Sequence, residues 1–284
     1  MSNSSSVSIP INRCLENESR AQMRILQADL VIPKEPNGII LFCHGSGSGR
    51  NSTRNRYVAE ALNKDGLATL LVDLLTVEEE QADTRAQKMQ CKIPGLLLNK
   101  FNVKLLADRV ISITEWISSN EDIKNLVLGY FGASTGTAAA LIAAAAMISS
   151  NSDKPLDQQI QKETLARGGG GQEQVKEEPV ALTSSKMKLG AIVSRSGRPD
   201  LAGSENLGRV KVPTLFIVGG NDHNQVISWN KDALKYLGSE KKKLVVIPEA
   251  SHLFEEPGTL EEVGRLASGW FRCFFQILRH QETK

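Results

Sequence analysis

Gly132-Ala133-Ser134-Thr135-Gly136 sets a serine between two glycines in the pattern G-x-S-x-G. Alone the string is weak, but an apolar run at 125–131 (NLVLGYF) leads straight into it and an alanine-rich stretch leaves it. A serine on so sharp a strand-to-helix turn is held in strained backbone geometry, with its hydroxyl lifted above the sheet edge. Side chains at Gly132 or Gly136 would collide with the turning chain and the packed helix. The same turn aims the Thr135 N–H and the positive end of the helix dipole at an oxyanion forming beside Ser134. The chemistry implied is nucleophilic attack on a carbonyl.

A serine hydroxyl needs a base to take its proton, and histidine, with a pKa near neutrality, suits that task. The chain offers His44, His223, His252 and His280. With a nucleophile turn of this type, the acid and then the histidine follow along the chain, so the base belongs in a loop after a late strand. His252, in VVIPEASHLFEEPG, stands in that place. His280 lies in the C-terminal tail and reads as a solvated group. The acid must hold the imidazole tautomer and stabilise the imidazolium. Asp222 fits, close behind PTLFIVGG, where Gly219-Gly220 allow a tight turn; Asp200, in SRSGRPD, is the rival. A turn-capping carboxylate is the other role open to either.

His44-Gly45-Ser46-Gly47-Ser48-Gly49-Arg50 also follows a strand and precedes a helix, which is the setting of a phosphate loop. It lacks the Gly-Lys-Ser/Thr of a P-loop and does not complete G-x-G-x-x-G. Its small residues suit close backbone approach to a substrate. The loop is expected to supply a second oxyanion donor, the N–H of Ser46, with His44 orienting it through a hydrogen bond. Arg50, Arg54 and Arg56, with Arg195 and Arg198, stand near the same edge. A solvated, helix-capping surface is expected there in preference to a cluster pairing with a substrate carboxylate or phosphate.

Strands and helices must alternate to carry these residues. Residues 38–43, 67–75, 125–131, 189–194 and 213–219 read as buried strands, and 243–248 as a further one. Helical spacing covers 52–64, closed by Gly66, then 102–120, 135–147, 226–237 and 260–278. Residues 7–11 and 23–32 fit an antiparallel hairpin leading into the sheet. This order predicts an α/β fold, a mostly parallel central sheet with helices on both faces. Residues 76–98 read as polar and irregular. From about 149 to 186 the chain is polar and without period, so a mostly disordered insertion is expected. It should leave at the N-terminal sheet edge, opposite the edge where ligands bind, and so reads as a loop and not a lid.

Composition sets outer bounds. A chain of 284 residues with 40% hydrophobic content fits one α/β domain spanning 1–284. Lys+Arg of 34 against Asp+Glu of 32 leaves +2, which argues against nucleic acid or an anionic membrane as a partner. Cys14, Cys43, Cys91 and Cys273 are scattered without C-x-x-C spacing, so neither a disulfide framework nor a metal site is expected. MSNSSSVSIP lacks the basic and apolar regions of a secretory signal. The longest apolar run, 138–148, is too short to span a bilayer. A cytoplasmic setting is expected.

Taken together, HGSGSGRNSTRNRYVAEAL, GYFGASTG, SRSGRPDLAG, PTLFIVGGND and SHLFEEPG resemble the dienelactone-hydrolase-like branch of the α/β-hydrolases. Within it they look like a subfamily some of whose members are fused to a phosphoribosyltransferase domain. The resemblance covers roughly residues 20–274 apart from the insertion. It implies an α/β-hydrolase fold, a Ser134–Asp222–His252 triad and hydrolysis of a small-molecule ester or lactone, with neither metal nor organic cofactor required. Dienelactone hydrolases proper use cysteine as nucleophile, whereas this position holds Ser134, a departure that bears on the dienelactone substrate itself. A phosphoribosyltransferase role would need a separate partner. Two other readings stay open: a non-catalytic small-molecule binder on a hydrolase scaffold, and an acyltransferase in which an alcohol or thiol replaces water. Oligomeric state is left open by the sequence.

Overall fold

All five residues of the strand Ile39–Cys43 are buried, and their side chains divide between two cores. Ile39, Leu41 and Cys43 enter one cluster, while Ile40 and Phe42 enter the other. Leu128–Ala133 repeats the division, with Leu128 and Tyr130 on one face and Phe131 on the other. A strand buried on both faces reads as a continuous apolar run, and it requires helices on both sides.

The computed structural model describes residues 3–11, 24–89, 98–152 and 187–282. Its strands are β1 (Asn3–Ile11), β2 (Arg24–Ile32), β3 (Ile39–Cys43), β4 (Ala68–Val72), β5 (Leu128–Ala133), β6 (Leu189–Arg195), β7 (Thr214–Gly219) and β8 (Lys242–Ile247). They form one sheet in the order β1-β2-β4-β3-β5-β6-β7-β8. β1 pairs antiparallel with β2, and β2 antiparallel with β4; every other pairing is parallel. The expected hairpin is therefore present.

Seven α-helices accompany the sheet among the described residues: α1 (Thr53–Lys64), α2 (Val77–Met89), α3 (Val103–Ser119), α4 (Thr135–Ser152), α5 (Gly203–Arg209), α6 (Asn224–Tyr236) and α7 (Thr259–Glu282). α1 and α7 cover one face, through Val58, Leu62, Val263, Ala267, Phe271 and Phe275. α3 to α6 cover the other, led by the alanines of α4 between Ala138 and Ala145. Glycines in the strands seat α7: a Cβ on Gly129 would lie 2.6 Å from the Phe271 ring, and one on Gly190 2.9 Å from Phe275. Helices on both faces of a mostly parallel sheet make this the α/β-hydrolase fold.

Residues 77–89 correct the sequence expectation of an irregular stretch, since they form α2. Polar contacts anchor this helix. Thr76 and Glu79 cap its start reciprocally, the Thr76 N–H donating to Glu79 Oε2 at 2.9 Å and the Glu79 N–H to Thr76 Oγ1 at 3.3 Å. Glu79 Oε1 also meets Arg24 and Arg109, each at 2.7 Å. Asp83 accepts the backbone N–H groups of Asn99 and Lys100 at 2.8 and 2.9 Å. Short α5 is a second helix without a sequence expectation. α4 continues five residues past the expected end at 147, to Ser152; the rest of the expected insertion, 153–186, lies outside the described residues, as do Cys14 and Cys91. Among the described residues, no helix is long and apolar enough to cross a membrane.

The strand order locates the ligand edge. The chain leaves β3 toward β4 and then crosses back to β5 on the other side of β3. Connections thus diverge between β3 and β5, and their C-terminal ends open a crevice. The loops after these strands begin at His44 and Ser134.

Candidate active site

Ser134 joins β5 to α4 with φ of +50°, a left-handed conformation that costs a non-glycine residue about 1–2 kcal/mol. Backbone bonds hold it there. Its N–H donates to the Arg195 carbonyl at 3.3 Å, and its own carbonyl accepts from Thr137 at 3.1 Å and Arg198 at 3.0 Å. The turn is wedged under the loop after β3: a Cβ on Gly136 would lie 2.1 Å from the Cys43 carbonyl oxygen. A Cβ on Gly45 would lie 2.8 Å from Ser134 Cβ. Both positions therefore exclude a side chain for a reason of space.

The loop after β3 is fixed by His44. The Leu74 N–H donates to His44 Nε2 at 2.9 Å, so that nitrogen carries a lone pair; Nδ1 carries the proton and donates it to the Gly45 carbonyl at 2.9 Å. Burial drives its pKa below the ordinary histidine value, outweighing the Gly45 bond and the charge of Asp73. His44 is thus a neutral brace of the loop, as expected. Ser46 donates its N–H to the Thr135 hydroxyl at 3.0 Å. That donor is held by a side chain in this structure, whereas the Thr135 N–H, at the first position of α4, has no intrahelical acceptor.

Asp222 and His252 arrive from the loops after β7 and β8. Those loops are stitched together: Gly220 N–H donates to Ile247 at 2.8 Å and Asn221 N–H to Ala250 at 2.9 Å. His252 Nδ1 lies 2.9 Å from both oxygens of Asp222. The carboxylate is fully buried and the imidazole is half-exposed. Burial pulls the Asp222 carboxyl upward. The hydrogen bonds from His252 and Ser196, the charge of His252 and the His223 N–H outweigh it and leave the pKa below the usual range. With Nδ1–H directed at Asp222, Nε2 presents a lone pair, the form a general base requires. Neither the Ser134 hydroxyl nor His252 Nε2 makes a hydrogen bond among the described residues.

The rival acid is engaged elsewhere. Asp200 takes the Arg198 guanidinium in a fork, at 2.9 and 2.8 Å, and Arg198 also stacks on Trp229 at 3.8 Å. His223 starts α6 and is exposed, and His280 is exposed on α7. Ser196 went unrecognised in the sequence. It is buried, has φ of +42°, and donates its hydroxyl to Asp222 Oδ2 at 2.8 Å. Its one signal is its place before Gly197, just after a strand.

A cavity of about 630 Å³ opens beside the loop after β3, with Ser46, Ser48, Arg54, Asp73, Glu80 and Lys100 in its wall. It adjoins the Ser134 turn through Gly45 and Ser46, although Ser134 and His252 do not line it. Glu80 there is shifted upward by burial and by the charges of Asp73 and Asp83.

No protein-family model matches the chain. Among solved structures, a dienelactone hydrolase from Anabaena variabilis is 42% identical, with 96% of this chain and 98% of that one covered at a TM-score of 0.71. Est1E from Butyrivibrio proteoclasticus and an esterase domain from a Rhodothermus marinus protein are each 14% identical, at TM-scores of 0.58 and 0.59. They cover 98% and 96% of this chain and 99% of their own, a likeness of fold alone. Two Mycobacterium tuberculosis proteins, provisionally named phosphoribosyl transferases, are 43% identical over 242 residues. That match takes in 85% of this chain but 42% of theirs, so the chain spans less than half the length of these relatives.

Proposed function

The chain belongs to the dienelactone-hydrolase-like branch of the α/β-hydrolases, and from that premise we propose that it is a serine hydrolase of carboxylic ester or lactone bonds. Ser134 Oγ attacks the carbonyl carbon as His252 Nε2 takes the hydroxyl proton. The tetrahedral oxyanion lies against the Thr135 N–H at the head of α4. The Ser46 N–H joins it when the Thr135 hydroxyl turns aside. Collapse breaks the ester C–O bond, and His252 returns its proton to the leaving oxygen. Water, deprotonated by the same nitrogen, then releases the acid from Ser134.

One observation carries this reading: a buried carboxylate, both oxygens 2.9 Å from Nδ1, holds a histidine with its other nitrogen unspent at the sheet edge that bears Ser134. The Ser134–His252 hydrogen bond is left to form with substrate, as catalytic hydrogen bonds are often long before the Michaelis complex. The unpaired thiols of Cys43 and Cys273 suit a reducing, cytoplasmic setting. The test is a panel of p-nitrophenyl esters, lactones and thioesters against wild type and Ser134→Ala, with intact mass after fluorophosphonate treatment. We expect one adduct on Ser134 and a rate loss of at least about a thousandfold in the variant. Esterase activity that survives the substitution would exclude this mechanism.

A further inference from the structure

Residues 195–198 touch both halves of the site. Arg195 ends β6, and its carbonyl accepts the Ser134 N–H at 3.3 Å. Three residues on, the Arg198 N–H donates to the Ser134 carbonyl at 3.0 Å. Between them, Ser196 gives its hydroxyl to Asp222 Oδ2 at 2.8 Å. Four consecutive residues thus grip Ser134 on both sides of its Cα and reach the buried carboxylate behind His252.

The segment is anchored along its length. Arg195 is only 7% exposed, so the expected solvated surface does not extend to it. Its Nη2 donates to Asn55 Oδ1 in the first turn of α1 at 3.3 Å. The Ser196 N–H continues the pairing with β7, donating to the Ile217 carbonyl at 2.8 Å. Buried Asn230 of α6 donates to the Gly197 carbonyl at 2.9 Å. A Cβ on Gly197 would lie 2.1 Å from Ser194 Oγ and 2.5 Å from Thr137 Oγ1, so the chain passes there without room to shift. Arg198 is held by Asp200 and Trp229. Together these contacts keep Ser196 at φ of +42°, a strained conformation for a residue with a side chain.

The strained serine meets Asp222 opposite a second donor. Asp222 Oδ1 accepts the His223 N–H at 2.7 Å and Oδ2 the Ser196 hydroxyl, while His252 Nδ1 stands 2.9 Å from both. The carboxylate cannot swing without giving up a flanking donor, and its side chain is sealed from the solvent that would replace one. A carboxylate fixed in this way fixes the imidazole it meets, and with it the direction of Nε2. We propose that Ser196 is a positioning residue: through Asp222 it aims His252, and residues 195–198 tie that aim to Ser134. This role rests on the hydrolase reading and adds to it a hydroxyl that never meets substrate.

The experiment has two readouts, ester kinetics and the proton magnetic resonance of the His252 Nδ1–H, assigned by its loss in His252→Gln. Ser196→Ala removes the hydroxyl and keeps the backbone strain. Ser196→Gly removes both. Ser196→Cys keeps the size with a weaker donor, and stands in should the other two fail to fold. With p-nitrophenyl acetate, the alanine and glycine variants should lose kcat alike, by about tenfold or more, with KM within about twofold of wild type. The cysteine variant should fall between. The imidazole resonance should move, or vanish through faster exchange with water, in both variants that lack the hydroxyl. Wild-type kcat and an unmoved resonance in Ser196→Ala overturn the proposal and leave Ser196 as a partner of a buried carboxylate and no more. A loss in Ser196→Ala that Ser196→Gly restores assigns the effect to the backbone, and overturns it also. Should wild type turn over no ester and take no fluorophosphonate on Ser134, the hydrolase reading is lost and the resonance alone decides: moved, it keeps Ser196 as the residue that aims His252; unmoved, it removes that role too.

Discussion

His44 and His252 are the same residue type at the same sheet edge, and their hydrogen bonds separate their roles. His252 spends one nitrogen on a carboxylate and keeps the other. His44 spends both on backbone groups and, directly after β3, is sealed from solvent. A protonated His44 would have to donate at Nε2, where it now accepts from Leu74, so the fold binds the neutral form. Its folded pKa is depressed below the ordinary 6.5. The unfolded chain therefore takes up this proton first as pH falls. The stabilisation is whole above 6.5 and is lost progressively as pH drops from there toward the folded value. His44→Gln keeps an acceptor for the Leu74 N–H but does not titrate. Urea unfolding at pH 8 and pH 5 should show the variant about 1 kcal/mol less stable at the higher pH, with a smaller loss on acidification than wild type. Equal losses in the two proteins would mean that His44 does not report pH through the fold.

At the scale of elements, the turn at Ser134 and the loop after β3 behave as one piece because backbone touches backbone. Gly136→Ala would drive a methyl group into the carbonyl oxygens of Cys43 and His44, at 2.1 and 2.5 Å. Gly47, in the same loop, has φ of +74° but nothing within 4 Å of the added carbon. Gly47→Ala should cost about 1–2 kcal/mol of backbone strain. Gly136→Ala should exceed about 3 kcal/mol, since rigid backbone cannot give way as a side chain does. Chemical unfolding of both variants tests the ranking, and a reversal would separate the loop from the turn. The elements most readily read from sequence are those whose order comes from apolar burial: β3, β5 and β7, and helices α1, α3 and α7, fall within a few residues of their expected bounds. α2 escaped because Glu79 and Asp83 hold it by ion pairs and hydrogen bonds, which leave no periodic apolar stripe; the T-x-x-E of Thr76 and Glu79 is the signal that marks it. In the site, the pairing of His252 with Asp222 follows from strand order. The support from Ser196 does not, because it depends on a left-handed residue in a loop. The burial of Arg195 was equally hidden, since an arginine ending a strand usually reaches water.

Over the whole molecule, the last helix connects the sheet's centre to both halves of the site. Phe271 sits where Gly129 of β5 leaves room, five residues before Ser134, and α7 begins seven residues after His252. Seating this helix therefore fixes the strand that leads into Ser134 and the far end of the loop that carries His252. Removing the ring by Phe271→Ala should cost about 3–5 kcal/mol in lost burial and cavity. Gly129→Ala should cost about 1–3 kcal/mol by overpacking, because its new methyl would lie 2.6 Å from the ring and 2.8 Å from Ile40 Cδ1. In the double variant the methyl enters space the ring has vacated, so the combined loss should fall short of the sum by about 1 kcal/mol or more. Denaturant unfolding of the four proteins gives this coupling directly. Ester turnover measured on the same set should follow stability, with the double variant recovering activity relative to the sum of the singles, because the helix holds both halves of the site. Strict additivity would show that α7 is not seated through this slot, and the link from β5 through the last helix to the His252 loop would fall with it.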